Sequence, residues 1–434
     1  MSDRKVLLIT SNGFGMGHLV RQLAIADALG KNVHIMTLSQ AAPTAIAGGA
    51  VLEYCPSYTS PWISKRAWHR GYLRDRIIAL ANEIDAEVIA FDGVVPYVGL
   101  LDALRHLDVT SVWFRRGVWR ADTDPRPLRY SSLFDLIIEP GDLGAQRDSG
   151  PTAGRRDAVR VGVVTQAGKP RPRTDAALTL GVDARKLTVM FNVGSNAIPG
   201  LDSVISAVAA RDDINVITTK DALGRDRSGS SDSVRALTGV FPLYPHLSAV
   251  DLAITSVGYN AAHEFVASGV PTVLVPANNV TDDQRARAFA MQDLGVSVVV
   301  EASQPHLLQE VIERLLDDEN ERQAMALSAR TIAQQWGDGA REAAGLLRMV
   351  TRSRRLHWSA SLRLRTRLFV EFILGFRDRH RPVSGVEFTT DLVGKSLDGP
   401  LVIEHLHPGT GPTYLQRRQR IASIWFGDSD GAQR

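Results

Sequence analysis

Two short segments hold side chains whose types and spacing can do chemistry. The first, Ser11-Asn12-Gly13-Phe14-Gly15-Met16-Gly17-His18, follows an apolar run at 6–10 and opens a stretch with apolar residues at helical spacing. Glycines such as Gly15 and Gly17 let a backbone approach a ligand closely, and a helix start presents unpaired N–H groups with partial positive charge. An anion or a polar acceptor group fits such a turn. His18 can serve there as a general base, because imidazole titrates near neutrality and a helix N-terminus favours its uncharged form; a hydrogen-bonded helix cap is the plainer role. Asp92, which closes the apolar run 87–91, can orient or charge-stabilise His18, or cap a turn. A nicotinamide dinucleotide site is disfavoured: G-x-G-x-x-G would put glycine where His18 stands, and no acid closes the second strand at Met36, Thr37 and Leu38.

The second segment is Thr255-Ser256-Val257-Gly258-Tyr259-Asn260-Ala261-Ala262-His263-Glu264. A strand ends at Thr255 and a helix starts near Asn260, so Ser256, Gly258 and Asn260 can offer hydroxyl, amide and helix N-terminal donors to a diphosphate. Glu264 lies one helical turn beyond Asn260 on the same face, where a carboxylate can accept both hydroxyls of a ribose. The loop 276–284 then sets Asp283 and Gln284 at the start of the next helix, in place to hydrogen-bond sugar hydroxyls.

These residues need a scaffold of parallel strands. Short apolar runs at 5–10, 32–38, 51–54, 87–91, 110–114 and 133–139 alternate with helical patterns such as 19–29 and 75–84, the signature of a doubly wound sheet. The alternation restarts at 187–192 and continues through runs at 215–218, 236–239, 252–255, 272–275 and 297–300. Between the halves the chain turns rich in Gly, Pro, Arg and Asp. The expected organisation is α/β, with two Rossmann-like domains facing a ligand cleft: residues 1–165, a linker at 166–186, residues 187–350, and a remainder at 351–434 whose fold the sequence does not assign.

Composition limits the alternatives. At 434 residues the chain is too long for one ordinary domain, and 44% apolar with 22% charged residues is a globular composition. Cys55 is the single cysteine, so no internal disulfide forms and no Cys/His cluster marks a metal site. A balance of 50 basic against 47 acidic residues excludes a global nucleic-acid footprint. No run reaches the ~18 apolar residues of a membrane span, which makes the cytoplasm the expected location.

The array from Ser256 to Gln284 resembles the donor-binding region of GT-B glycosyltransferases that use nucleotide-diphosphate sugars, in particular family 28 and the UDP-glycosyltransferases. Where plant members carry His-Cys-Gly-Trp-Asn-Ser before a Glu, this chain has Ser256-Val257-Gly258-Tyr259-Asn260-Ala261 before Glu264. In the first half, Gly15-Met16-Gly17-His18 resembles the family's glycine loop and its His, Asp92 matches the acid that partners that His, and Val193-Gly194-Ser195 resembles its Gly-Ser turn. The resemblance implies a GT-B fold and an inverting, metal-independent transfer with a nucleotide-diphosphate sugar as co-substrate and no cofactor. His18 would deprotonate the acceptor, and Ser195 and Ser256 would stabilise the leaving diphosphate. The spacing Gly15-x-Gly17-His18-x-x-Arg21 is also similar to UDP-sugar hydrolases of the same fold, and a non-catalytic nucleotide-binding protein is a third reading.

In such folds first-domain loops choose the acceptor, which makes Trp62, Trp68, Arg115 and Arg116 the acceptor candidates, with lipid, glycan, natural product and protein all open as acceptors. Nine arginines between Arg352 and Arg381 are interleaved with Leu and Phe. They fit either a helix packed back on the first domain or a peripheral contact at the inner membrane face.

Overall fold

Val6-Leu7-Leu8-Ile9-Thr10 is apolar up to its last residue, as a parallel strand covered on both faces requires, and every residue of it is buried. In the computed structural model, which describes residues 4–11, 16–47, 49–58, 63–166, 168–193, 198–219, 233–237 and 239–352, this strand lies inside a seven-stranded sheet, third from one edge. Its strands are β1 (Val6–Thr10), β2 (Val33–Thr37), β3 (Glu53–Tyr54), β4 (Val88–Asp92), β5 (Thr110–Phe114), β6 (Leu136–Pro140) and β7 (Val159–Val161), in the order 3-2-1-4-5-6-7. A six-stranded sheet repeats the plan with β8 (Leu187–Asn192), β9 (Ile214–Thr219), β10 (Val234–Leu237), β11 (Leu252–Thr255), β12 (Thr272–Leu274) and β13 (Ser297–Val299), ordered 10-9-8-11-12-13. All neighbouring strands in both sheets are parallel. The described residues all fall in one compact unit, residues 1–369.

The helices are α1 (Gly17–Leu29), α2 (Ala42–Ala47), α3 (Lys65–Ala67), α4 (Arg74–Glu83), α5 (Val98–His106), α6 (Arg173–Leu180), α7 (Leu201–Ala209), α8 (Tyr259–Ser268), α9 (Gln284–Asp293), α10 (Pro305–Asp317), α11 (Glu319–Gln334) and α12 (Gly339–Met349). Period-two alternation divides each strand between two cores. Val6 and Leu8 pack with Leu19, Leu23 and Ile25 of α1, while Leu7 and Ile9 pack with Ile77, Leu80 and Leu104 from α4 and α5. In the second sheet Val189 and Phe191 face α7 and α10, and Met190 faces α6 and α8.

Two helices depart from the expected domain limits. α6 lies inside the stretch read as a linker, yet Ala176, Ala177 and Leu180 belong to the second sheet's core. α12 lies at the end of the stretch assigned to the second domain, but Ala340, Ala343, Ala344 and Leu347 pack on α1 in the first. Its entry is a glycine pinch: a Cβ on Gly339 would sit 2.1 Å from the Gly162 carbonyl oxygen, and one on Gly162 would sit 2.3 Å from that of Trp336. At its other end Arg348 donates to the carbonyls of Ala28 and Leu29, which the last turn of α1 leaves open. α12 thus packs back on the first domain; the arginine-rich stretch, of which return packing is expected, lies beyond Arg352 outside the described residues. No described helix is long and apolar enough to cross a membrane.

Candidate active site

Register brings the first cluster together. Thr10, the end of β1, pairs with Asp92, the end of β4, so the turn into α1 and Asp92 share the carboxyl edge of the sheet. His18 Nδ1 lies 2.7 Å from Asp92 Oδ1. Arg21, one turn along the same face of α1, donates from Nε to Asp92 Oδ2 at 2.8 Å and from Nη2 to Oδ1 at 2.5 Å, and Gln22 donates to Oδ2 at 3.2 Å. Burial raises the Asp92 carboxyl, but Arg21 and His18 outweigh it and hold Asp92 below the usual carboxylate range. An ionised carboxylate only accepts, so His18 carries its proton on Nδ1 and has its lone pair on Nε2. Burial, then Arg21 and Arg116, lower the His18 imidazole against the pull of Asp92, leaving it neutral near pH 7.

The second cluster is built on α8. Gly258 caps it without a side-chain bond, so its first-turn N–H groups point out of the helix end. Asn260 in that turn is 8% exposed, and neither its Oδ1 nor its Nδ2 has a hydrogen-bond partner. Leaving a buried amide unpaired costs about 1–3 kcal/mol, so such a group marks a place for a ligand. The same side chain abuts the start of α1, because Asn260 Oδ1 lies 3.8 Å from where a Cβ on Gly17 would be. Two helix N-termini therefore converge on one polar side chain. One turn on, the Glu264 carboxylate has no hydrogen bond among the described residues, and burial pushes it up to about 8. Ser256 is buried at the start of the turn leading into α8.

A third cluster joins the two halves. Arg287 of α9 is fully buried and holds Asp142, which follows β6, through Nε at 2.9 Å and Nη2 at 2.7 Å. It also donates to Asp282 Oδ1 at 2.8 Å and to the Val257 carbonyl at 2.7 Å. Gly144 allows this approach, since a Cβ there would lie 2.9 Å from the Arg287 Cα. Alongside, Trp119 forms an antiparallel bridge with Asp282, Arg120 N donates to Thr281 O at 2.8 Å, and Asp283 N donates to Val118 O at 2.9 Å. Val118 adopts φ 56°, a conformation costly for a β-branched residue, to aim that carbonyl. The Tyr259 hydroxyl donates to Gly141 O at 2.7 Å and accepts from Val164 N at 3.1 Å, with its ring 5.0 Å from the Arg21 guanidinium.

Several expectations change on this geometry. Arg115 is not available to an acceptor: it is fully buried, bonded to both carboxylate oxygens of Asp157 at 2.8 and 2.9 Å and to Ser131. Trp68 is likewise core, its indole N–H donating to Pro56 O at 2.7 Å. The side chains of Val257 and Tyr259 turn into the protein, leaving only their backbone near the α8 start. Arg116 lies 3.7 Å from Asp282, with its Nε buried and unpaired. Asp283 caps α9 through Oδ1 on Ala286 N, and Gln284 Oε1 accepts from Ala277 N, which shapes the 276–284 loop. Gly15, Trp62, Gly194 and Ser195 lie outside the described residues. Arg21 is marked in the sequence only by its place in the loop similar to UDP-sugar hydrolases, and Asp142, Asp282 and Arg287 carry no mark there as site residues. Arg287 was detectable, because it stands in the buried stripe Gln284, Arg287, Ala288, Met291, where an apolar residue is the rule.

Two parallel Rossmann-like sheets, with a histidine–aspartate pair at one carboxyl edge and an uncapped helix start at the other, define the GT-B class. The glycosyltransferase SnogD from Streptomyces nogalater shares this fold at a TM-score of 0.55 and 19% identity, over 80% of this chain and 100% of that one. More particularly, residues 225–338 match the Glycosyltransferase family 28 C-terminal domain. Two curated relatives carry the name UDP-N-acetylglucosamine–N-acetylmuramyl-(pentapeptide) pyrophosphoryl-undecaprenol N-acetylglucosamine transferase. The one from Acetivibrio thermocellus is 31% identical over 105 residues, 24% of this chain and 28% of its own length. The one from Salinibacter ruber is 31% identical over 163 residues, 36% and 44% of the two chains. The matched region thus spans less than half of either relative.

Proposed function

We propose that the protein transfers a hexose from a UDP-linked sugar to an acceptor hydroxyl with inversion at the anomeric carbon, using no cofactor or metal beyond the nucleotide sugar itself. The carrying observation is Asn260, a buried and unpaired carboxamide where the starts of α1 and α8 meet. Its amide donor and the α8 N–H groups match a diphosphate, and their partial positive charge supplies the neutralisation that a metal supplies elsewhere. Glu264, one turn below, takes the ribose hydroxyls. Sugar contacts fall to the atoms of Asp283 and Gln284 that local structure does not engage, Oδ2 and Nε2. The uracil assignment follows the names of the curated relatives.

The chemistry on the other side of the cleft is proton transfer. His18 Nε2 takes the proton from the acceptor hydroxyl, whose oxygen attacks the anomeric carbon as the bond from that carbon to the diphosphate oxygen breaks. The bonding pair leaves with the diphosphate, facing the helix starts. Attack from the face opposite the leaving group inverts the centre. Arg116 marks where the acceptor enters, from the first-domain edge.

Thermal-shift titration with a panel of nucleotide diphosphates and their sugars, followed by mass-spectrometric product detection, tests this reading. UDP-linked donors should stabilise the protein, and no shift with any nucleotide would refute the donor site. Release of free sugar without acceptor would make it a hydrolase of the same fold. His18→Ala should abolish transfer while nucleotide binding survives, and retained turnover would refute the base.

A further inference from the structure

Asp92 and His18 alone would form a simple acid–imidazole pair, in which the carboxylate draws a proton onto the ring. A third member changes that balance. The Arg21 guanidinium, 1% exposed, bonds both oxygens of Asp92 and places Nη2 only 2.9 Å from His18 Nδ1. A permanent cation thus neutralises the carboxylate within bonding distance of the imidazole. We propose that Arg21 is a positioning residue that keeps His18 a neutral base: it orients Asp92 so that Nδ1–H has one acceptor, and its charge opposes formation of the imidazolium in the resting protein. The inference rests on the reading of His18 as the base.

The groups facing His18 from each element are few. Asp92 on β4 favours the protonated ring. Arg21 on its own helix and Arg116 from the segment after β5 oppose it. Arg116 is directed to Asp282 at 3.7 Å, so Arg21 is the cation in contact with both members of the pair. From α8, the Tyr259 ring covers the other side of Arg21; burial holds that phenol neutral against Arg21 and the Val164 N–H, and it adds no charge. The plainer role for Arg21 is a counter-ion that makes a buried Asp92 tolerable. Both roles lower thermal stability when Arg21 is removed, and they separate on the titration of His18.

The test is an NMR titration of the full chain labelled at histidine Cε1, in wild type, Arg21→Gln and Arg21→Lys, with His18→Gln assigning the resonance. Arg21→Gln should raise the His18 midpoint by about 1–2 pH units, the size expected for loss of an adjacent charge. The acidic limb of the transfer rate should move up with it. Arg21→Lys keeps the charge but not the planar fork, so it should hold the midpoint near wild type. An unchanged midpoint in Arg21→Gln overturns the proposal, as does a Lys variant that shifts as far as Gln. If Arg21→Gln does not fold, Asp92→Asn supplies the complement: the cation is then unopposed and the His18 midpoint must fall, and no fall overturns the proposal. The titration needs no substrate, so a protein without transfer activity refutes the base reading while leaving the Arg21 effect measurable.

Discussion

Replacing Arg287 with Met removes one charge from a site where two carboxylates depend on it. Asp142 and Asp282 are 3% and 4% exposed at their side chains, and Arg287 is fully buried. Breaking a buried pair by deleting one partner costs about 3–5 kcal/mol, because the charge left behind is neither solvated nor paired. For a chain of this size that corresponds to a fall in Tm of about 3–6 °C. The pH dependence gives the sharper test. In the wild type burial raises both carboxyls, but Arg287 and its neighbours hold them below the usual range, so the cluster's stabilisation is complete above about pH 4 and lost only in stronger acid. In Arg287→Met the carboxylates lose that hold and protonate in mild acid. His263, 3.9 Å from Asp142 and kept near 4 by burial and by Arg287, becomes free to accept a proton as well. Destabilisation by Arg287→Met should therefore be largest near about pH 8 and shrink toward about pH 5. Urea unfolding followed by tryptophan fluorescence at both pH values reads it. A loss below about 1 kcal/mol, or one equal at both pH values, would refute the reasoning.

Glu264, raised to about 8 by burial, must be ionised to accept two ribose hydroxyls. UDP affinity should climb about fivefold between about pH 7 and 8 and level off above about pH 9, and Glu264→Gln should flatten the profile; a wild-type affinity flat over that range would exclude the ribose contact. Gly339→Ala should destabilise by about 1–3 kcal/mol, because its Cβ meets the Gly162 carbonyl at 2.1 Å. Gly345→Ala in the same helix, with nothing within 4 Å of the new Cβ, should instead stabilise by about 0.5–1 kcal/mol; thermal denaturation of the two variants gives opposite signs or the pinch is wrong.

The sheets were legible because parallel strands buried on both faces are continuous apolar runs, as at Val88–Asp92 and Leu187–Asn192. His18 and Asp92 were legible because each stands where such a run gives way to a turn, and Asn260 and Glu264 because their spacing is one helical turn. What was hidden depends on partners far along the chain. The bond from Arg287 to Asp142 spans 145 residues and that from Arg115 to Asp157 spans 42. An arginine beside aromatics has the same local pattern whether it is solvated or sealed in by an acid contributed elsewhere. The alanine stripe of α12 likewise announces an amphipathic helix and leaves its packing surface unnamed, so assigning it to the nearer domain was the natural misplacement.

The crossing of α12 means that the first domain is discontinuous in sequence. The second-sheet half sits as an insertion within the first, entered after β7 and left before Gly339. Residues 1–165 expressed alone would expose the face of α1 that Ala340, Ala343, Ala344 and Leu347 cover. A chimaera that exchanges second-sheet halves between relatives must keep α12 with its own α1, and must match the strand pairing of Trp119 with Asp282 across the new junction.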